Sequence, residues 1–470
     1  MTDLAADIES HDERTNWAQP LVRGAGPRYV QIADRLGEAI SNGQLSAGDR
    51  LPSQRQLASL LGVDLTTITR AYSEARTRGL IVSFGGRGAF VASASPGKGA
   101  HRVDLSMNVP PQPTDGNLAE QVQSGIAELL ARQGVSALSA YDGVVAAEAA
   151  IQAGRAWLKP ALDGLDTEGL VLCAGAQAAI FGVLLSCTKR GDTVLCEPLT
   201  YPGFLVAARQ LGLRITMVES DEDGILPDAL ERCHSETGAR VLYLNPTLNN
   251  PTTRVMSAER RQKIAASLRR LEMTLIEDDP YRNLIKDAPP PLATFTQGER
   301  TYYVASLSKC LWPSLRTAFI LPPAKSDSSR MLESLRAATM VCSPLLAGLA
   351  EQWIRSGIAR QLVQEIQREV RARQTLARAI LAQPYFAQPT GLHIWIPLPS
   401  YWNQHHFTYT LAEQGILVAS ADAFSPTPVQ EPAIRVSIGG ASSQSELSTA
   451  LGRIEALRRE DPRRGPSGIV

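Results

Sequence analysis

Five polar side chains in the second half of this 470-residue chain are spaced so that they can act together. Asn250 lies in N-N-P-T-T, straight after a β-branched run. Asp278 and Tyr281 lie in E-D-D-P-Y at the end of the next such run, and Lys309 and Arg316 follow a third. The C-terminal ends of strands are where open α/β sheets bind ligands. In S-L-S-K alone, Lys309 reads as a surface lysine; the ordered set upstream changes that reading. A lysine amine can condense with a carbonyl carbon, and a carboxylate can keep a proton on a ring nitrogen. Ser306 and Arg316, with the main-chain amides of Gly175, Ala176 and Gln177 at a helix start, can hold a phosphate.

These are the demands that pyridoxal 5′-phosphate (PLP) makes. Lys309 would form a Schiff base with its aldehyde, and Asp278 would keep its pyridine nitrogen protonated. Asn250 and Tyr281 would donate to its phenolate oxygen and lower the aldimine pKa. Tyr201, in E-P-L-T-Y-P-G, is placed either to stack on the ring or to pack as a turn aromatic on the core, and both readings stand. Asp279, next to Asp278, reads as structural, and Cys310, next to the lysine, as a small buried packing residue.

The elements that would position this set follow from periodicity. VLCA (171–174), TVLCE (193–197), RITMVE (214–219), ARVLYLN (239–245), TLIEDD (274–279), TYYVAS (301–306) and FILP (319–322) read as strands with helical stretches between them. That alternation predicts a largely parallel buried sheet. After Pro344 apolar residues from Trp353 to Val370 recur every three to four positions, and GLHIWIPL and IRVSIGG then supply a smaller sheet.

Residues 27–92 have a different pattern. Tyr29, Ile32, Ala33, Leu36 and Ile40 mark one helix face; Ser53 and Gln56 have capping-box spacing for a second helix ending at Gly62. Asp64 can cap a third helix whose inner face is Ile68, Ala71, Tyr72 and Ala75. A β-hairpin with Arg87 at its glycine-rich tip follows, which makes a winged helix-turn-helix. Eight arginines face five acidic residues in this stretch, a local balance of +3. Helix N-termini and arginines would hold phosphates, while Thr66, Thr67 and Arg70 point outward to bases or backbone. On periodicity alone, a helical domain for protein contacts is the alternative.

Composition bounds the rest. Lysine plus arginine and aspartate plus glutamate both number 47, so bulk condensation of nucleic acid is excluded. The six cysteines form no C-x-x-C pair, which argues against a zinc site or a disulfide framework and for a reducing compartment. The polar opening MTDLAADIESHDERT does not read as a signal peptide, and no apolar run is long enough for a membrane span. A cytoplasmic protein with no membrane partner is expected. The expected organisation is a mobile tail (1–24), a winged helix (25–92), a linker and arm (93–116), a large domain (117–335) and a small domain (336–470).

The run G-x-L-x-x-G-D-R-L-P-S-x-R-x-L-A-x-x-L-G-V, with T-x-x-R-A-Y and G-G-R-G-x-F-V, resembles the GntR family of bacterial transcription regulators. The resemblance implies operator contacts from Arg55, Thr66, Thr67 and Gly86, with Leu65 standing where a basic residue is common. Residues 118–440 resemble the fold type I aminotransferases through G-A-Q, E-P-x-x-Y-P-G, N-P-T, I-E-D-D-P-Y, S-x-S-K and I-R-V-S. By that resemblance Arg435, on spacing alone a surface ion-pair residue, grips a carboxylate. Thr253 and Ser314 replace glycines common in the family. The pairing is similar to the MocR subfamily. It implies an α/β homodimer that binds double-stranded operator DNA and senses an amine, amino acid or B6 vitamer by exchange at Lys309. An active aminotransferase carrying a DNA-binding module is the alternative.

Overall fold

The computed structural model describes residues 17, 21, 27–42, 44–45, 49–77, 80–84, 88–91, 102–112, 118–138, 144–324 and 328–462. The chain divides into two compact units between His101 and Arg102.

In the first unit, α1 (Arg28–Ser41), α2 (Gln54–Leu61) and α3 (Leu65–Thr77) precede the hairpin β1 (Ile81–Phe84) and β2 (Gly88–Val91). Ser53 caps α2 through a complete capping box with Gln56, and Gly62 ends it in the left-handed conformation at φ 61°. The faces read from periodicity close on one another: Ile32, Leu36, Leu57, Ile68, Ala71 and Ala75 share one core. Trp17, inside the stretch expected as a mobile tail, is buried in that core. A lone indole in a polar segment carries enough apolar area to be drawn into a core.

The second unit is built on a seven-stranded sheet in the order β4-β12-β11-β10-β9-β5-β6. Its strands are β4 (Val171–Cys173), β5 (Thr193–Cys196), β6 (Arg214–Met217), β9 (Val241–Leu244), β10 (Thr274–Asp278), β11 (Thr301–Ser306) and β12 (Ala318–Leu321). All pair in parallel except β12, which runs antiparallel to β11 and β4. Every residue of β5, β9 and β12 is buried, which is why these strands read as unbroken apolar runs.

A second sheet, β13 (Phe386–Ala387), β14 (His393–Pro397), β17 (Ala433–Ser437) and β16 (Ala419–Ser420), forms the smaller layer. The stretch expected as linker and arm enters this unit at Arg102. There β3 (Val103–Asp104) pairs in parallel with β15 (Ile416–Leu417), and Leu105 is fully buried. A small hairpin, β7 (Ser220–Asp221) and β8 (Gly224–Ile225), closes one loop. The apolar stripe from Trp353 to Val370 belongs to two helices, Pro344–Ser356 and Ile358–Ile380, broken by Gly357 at φ 88°.

Of the two substituted glycine positions, Thr253 keeps the left-handed backbone at φ 66°, whereas Ser314 lies in a short 3₁₀ turn. No described helix is long and apolar enough to cross a membrane.

Candidate functional site

The loops at the C-terminal ends of β9, β10 and β11 bring the sequence-selected residues of the second unit together. Asp278 ends β10 and is buried. Its Oδ2 accepts from the Tyr243 hydroxyl at 2.7 Å, while Oδ1 is buried with no partner. Burial pushes this carboxyl up to about 7. A protonated ring nitrogen opposite Oδ1 would satisfy the orphan and return the group to a carboxylate.

Asn250 is set by two contacts. Its main-chain N–H donates to Asn245 Oδ1 at 2.9 Å, and its Oδ1 accepts from Arg435 Nη1 at 2.7 Å. The guanidinium therefore fixes the amide with its NH₂ left to donate elsewhere. Arg435 also donates to the Ser106 carbonyl, lies 4.9 Å from the Phe424 ring centre, and keeps a buried Nε without a partner. Burial lowers its pKa to about 10, so it stays charged at neutral pH.

Lys309 follows β11 and donates from Nζ to the Asn108 carbonyl at 2.5 Å. Burial, then the positive charges of Arg435 and Arg316, lower its pKa to about 8. Tyr281 is buried and accepts from Asn108 Nδ2 at 3.2 Å. Tyr201 starts the helix Pro202–Gln210, and burial raises its phenol to about 12. Gly203 makes room for it: a Cβ there would lie 2.1 Å from Gln177 Oε1 and 2.4 Å from the Tyr201 ring.

Of the residues expected to hold a phosphate, Gly175, Ala176 and Gln177 lie at the start of the helix Ala176–Cys187, whose N-cap Gly175 has φ 92° and no side-chain cap. A Cβ on Gly175 would touch the Arg316 guanidinium at 3.5 Å. Gln177 donates to the Gly203 carbonyl at 2.9 Å and leaves Oε1 buried without a partner. Ser306 is buried and accepts from the Ser308 N–H at 3.2 Å. A helix N-terminus, a hydroxyl and a guanidinium suit a phosphate. Orphaned Asp278 Oδ1, the Gly203 cradle and the amine of Lys309 together fit PLP in donor chemistry.

Asp279 is committed elsewhere: Arg282 donates to it, and Tyr303 donates to its Oδ2 at 3.1 Å. Sequence reasoning missed Asn108, His393, Tyr243 and Gly203. Tyr243 carried a signal, because a phenol inside an apolar strand must find a partner for its hydroxyl. Asn108 carried none; its partners Tyr281 and His393 are 173 and 285 residues away.

In the first unit, Arg55 and Arg70 are exposed, with Arg70 5.7 Å from the Tyr29 ring centre. Thr66 and Thr67 sit at the start of α3 but donate their hydroxyls to Asp64, Thr67 at 2.9 Å. Those bonds hold the Asp64 carboxyl at about 2. The threonines therefore present oxygen lone pairs rather than hydrogens, and Leu65 is exposed beside them. Gly86 and Arg87 lie outside the described residues.

Residues 100–454 match the family model for aminotransferase class I and II, and residues 28–91 match bacterial regulatory proteins of the gntR family. Among curated relatives, the uncharacterized HTH-type transcriptional regulator YdeF of Bacillus subtilis is 28% identical over 450 residues, covering 93% of this chain and 95% of that protein. The vitamin B6 salvage pathway transcriptional repressor PtsJ of Salmonella typhimurium is 29% identical over 447 residues, covering 92% of this chain and 99% of that protein. Among solved structures, the α-aminoadipate aminotransferase LysN of Thermus thermophilus, complexed with N-(5′-phosphopyridoxyl)-L-leucine, superposes with a TM-score of 0.68 at 21% identity. The match covers 76% of this chain and 92% of that one.

Proposed function

This chain belongs to the aminotransferase class I and II family and carries a gntR-family DNA-binding domain, the layout of MocR-type transcriptional regulators; from that premise we propose that it is a PLP-dependent regulator whose operator affinity responds to a small amine. The observation that carries the reading is the co-occurrence, in one chain, of the Lys309–Asp278–Asn250–Tyr281–Arg435 cluster and a capped winged helix. PLP, when bound, supplies an electrophilic carbon on which a lysine and an incoming amine compete.

The contacts of the chain's own residues support the following roles. Lys309 would hold the electrophilic carbon in the resting state, its pKa lowered to about 8 by burial and the nearby guanidinium charges. Asp278 Oδ1 would pair with the ring nitrogen, Asn250 and Tyr281 would donate to the ring oxygen, and Tyr201 would cover one ring face. Ser306, Arg316 and the amides at Gly175, Ala176 and Gln177 would hold the phosphate. Arg435 receives a carboxylate when the amine is an amino acid, because its buried Nε has no partner. That a relative matching 92% of this chain is a vitamin B6 salvage pathway transcriptional repressor supports a B6 vitamer or an amine related to it as effector.

DNA binding falls to Arg55, Thr66, Thr67, Arg70, Gly86 and Arg87, and a homodimer presents two such modules to the halves of an operator. A working aminotransferase is the second reading, since a lysine released by amine exchange is placed to move protons.

Borohydride reduction of the PLP-loaded protein followed by peptide mapping tests the cofactor assignment. Label on Lys309 is expected, and its absence there rejects the reading. Operator titration with and without primary amines tests sensing, and constant affinity across them all rejects it. Sustained keto-acid formation would favour the enzyme.

A further inference from the structure

Asn108 touches both chemical poles of the site. Its carbonyl accepts from Lys309 Nζ at 2.5 Å, and its side-chain Nδ2 donates to the Tyr281 hydroxyl oxygen at 3.2 Å. The same Nδ2 lies 3.0 Å from His393 Nδ1, and His393 Nε2 lies 3.2 Å from the Asn249 carbonyl.

Hydrogen positions follow from these partners by elimination. The Asn249 carbonyl can only accept, so Nε2 of His393 carries the ring hydrogen. His393 is fully buried, and burial with the nearby charge of Arg435 lowers its pKa to about 3, so the ring is neutral and Nδ1 is a bare lone pair. Its neighbour on Asn108 must then be the NH₂ and not the oxygen. The cost of that orientation is visible: Asn108 Oδ1 is buried without a partner, so the amide is held by its nitrogen end. One amide hydrogen goes to His393 and the other to Tyr281. The phenol oxygen, having accepted, has its own hydrogen left for an acceptor outside this chain of bonds.

We propose that Asn108 and His393 are positioning residues that commit the Tyr281 hydroxyl to donate its hydrogen to the ring oxygen of the cofactor. The proposal rests on the reading that this site holds PLP. It goes beyond that reading by adding two residues, on β14 and in the segment after β3, that touch Tyr281 rather than the ring. The charged and titratable neighbours of Tyr281 are Asp278 from its own segment, Arg435 from β17, His393 from β14, and Tyr201. Lys309 reaches it through Asn108.

Two measurements test this. In the full-length PLP-loaded protein, the visible band of the bound cofactor is titrated with pH. A donated hydrogen bond favours the deprotonated ring oxygen, so its loss raises the midpoint. Tyr281→Phe gives the full shift. Asn108→Leu and His393→Leu should each raise the midpoint by about one pH unit. His393→Gln should stay near the wild type, because its amide can accept from Asn108 and donate to Asn249. In the Tyr281→Phe background, Asn108→Leu should add nothing. A wild-type midpoint for Asn108→Leu, or an equal shift in both backgrounds, overturns the proposal.

The second measurement needs no cofactor. ¹⁵N-histidine spectra of the cofactor-free protein, assigned through His393→Gln, should show the hydrogen on Nε2. A hydrogen on Nδ1 overturns the proposal whether or not the cofactor binds. Failure of the PLP reading is separate: the wild-type protein would then lack the visible band altogether.

Discussion

The two oxygens of Asp278 have different fates: Tyr243 claims Oδ2, and nothing claims Oδ1. A buried acceptor without a partner costs about 1–3 kcal/mol, and a protonated ring nitrogen removes that cost and adds a charge-assisted bond. Asp278→Asn keeps the shape but cannot balance the ring charge. PLP affinity should fall at least about tenfold, a difference of about 1.4 kcal/mol, in a fluorescence titration of the cofactor-free protein. Lys309 makes a kinetic prediction. Only the neutral amine attacks, and its pKa is lowered to about 8 from 10.5. The rate of PLP incorporation should therefore climb about tenfold per pH unit below that value and level off above it. A rate still climbing steeply past pH 9.5 would show an ordinary exposed lysine.

At the scale of elements, the proposed cofactor pocket depends on how closely the helix Pro202–Gln210 approaches Gln177. Gly203→Ala would put a Cβ 2.1 Å from Gln177 Oε1 and 2.4 Å from the Tyr201 ring. Moving either group off its contact should cost PLP binding about 1–3 kcal/mol with the fold retained. Gly452→Ala, where nothing lies within 4 Å, should leave binding unchanged. In the first unit, Ser53→Ala removes one half of the α2 capping box and should destabilise that unit by about 1 kcal/mol in thermal unfolding of the full chain. The seven strands of the main sheet were legible as apolar and β-branched runs, most plainly β5, β9 and β12, in which every residue is buried. The short strands β3, β13 and β15 were not, because two-residue strands carry no periodicity. The side chains proposed to meet the cofactor were selected through their motifs and their order along the chain. Asn108 and His393 act only through a contact made by the fold, and the engagement of Thr66 and Thr67 with Asp64 showed only as a cap.

At the scale of the whole molecule, a neutral chain carries its excess positive charge in the winged helix, so operator binding should be steeply salt-dependent. Log K should drop by about 0.9 per decade of salt for each neutralised phosphate. An amine acting at Lys309 should change operator affinity by about 5–150-fold, the usual coupling of about 1–3 kcal/mol between linked sites. Reciprocity gives a second reading of the same number: operator DNA must change the protein's affinity for the amine by the same factor. Cationic amines also bind DNA directly, and that trivial effect has a different signature. It would weaken as salt rises and would survive Lys309→Ala, because it needs nothing from the second unit. Coupling through the cofactor should vanish in Lys309→Ala while basal operator binding persists, since Lys309 lies outside the DNA-binding unit. Fluorescence anisotropy of labelled operator, at two salt concentrations and with both proteins, separates the cases. An amine effect that Lys309→Ala leaves intact would show that the aminotransferase-like unit does not transmit the signal.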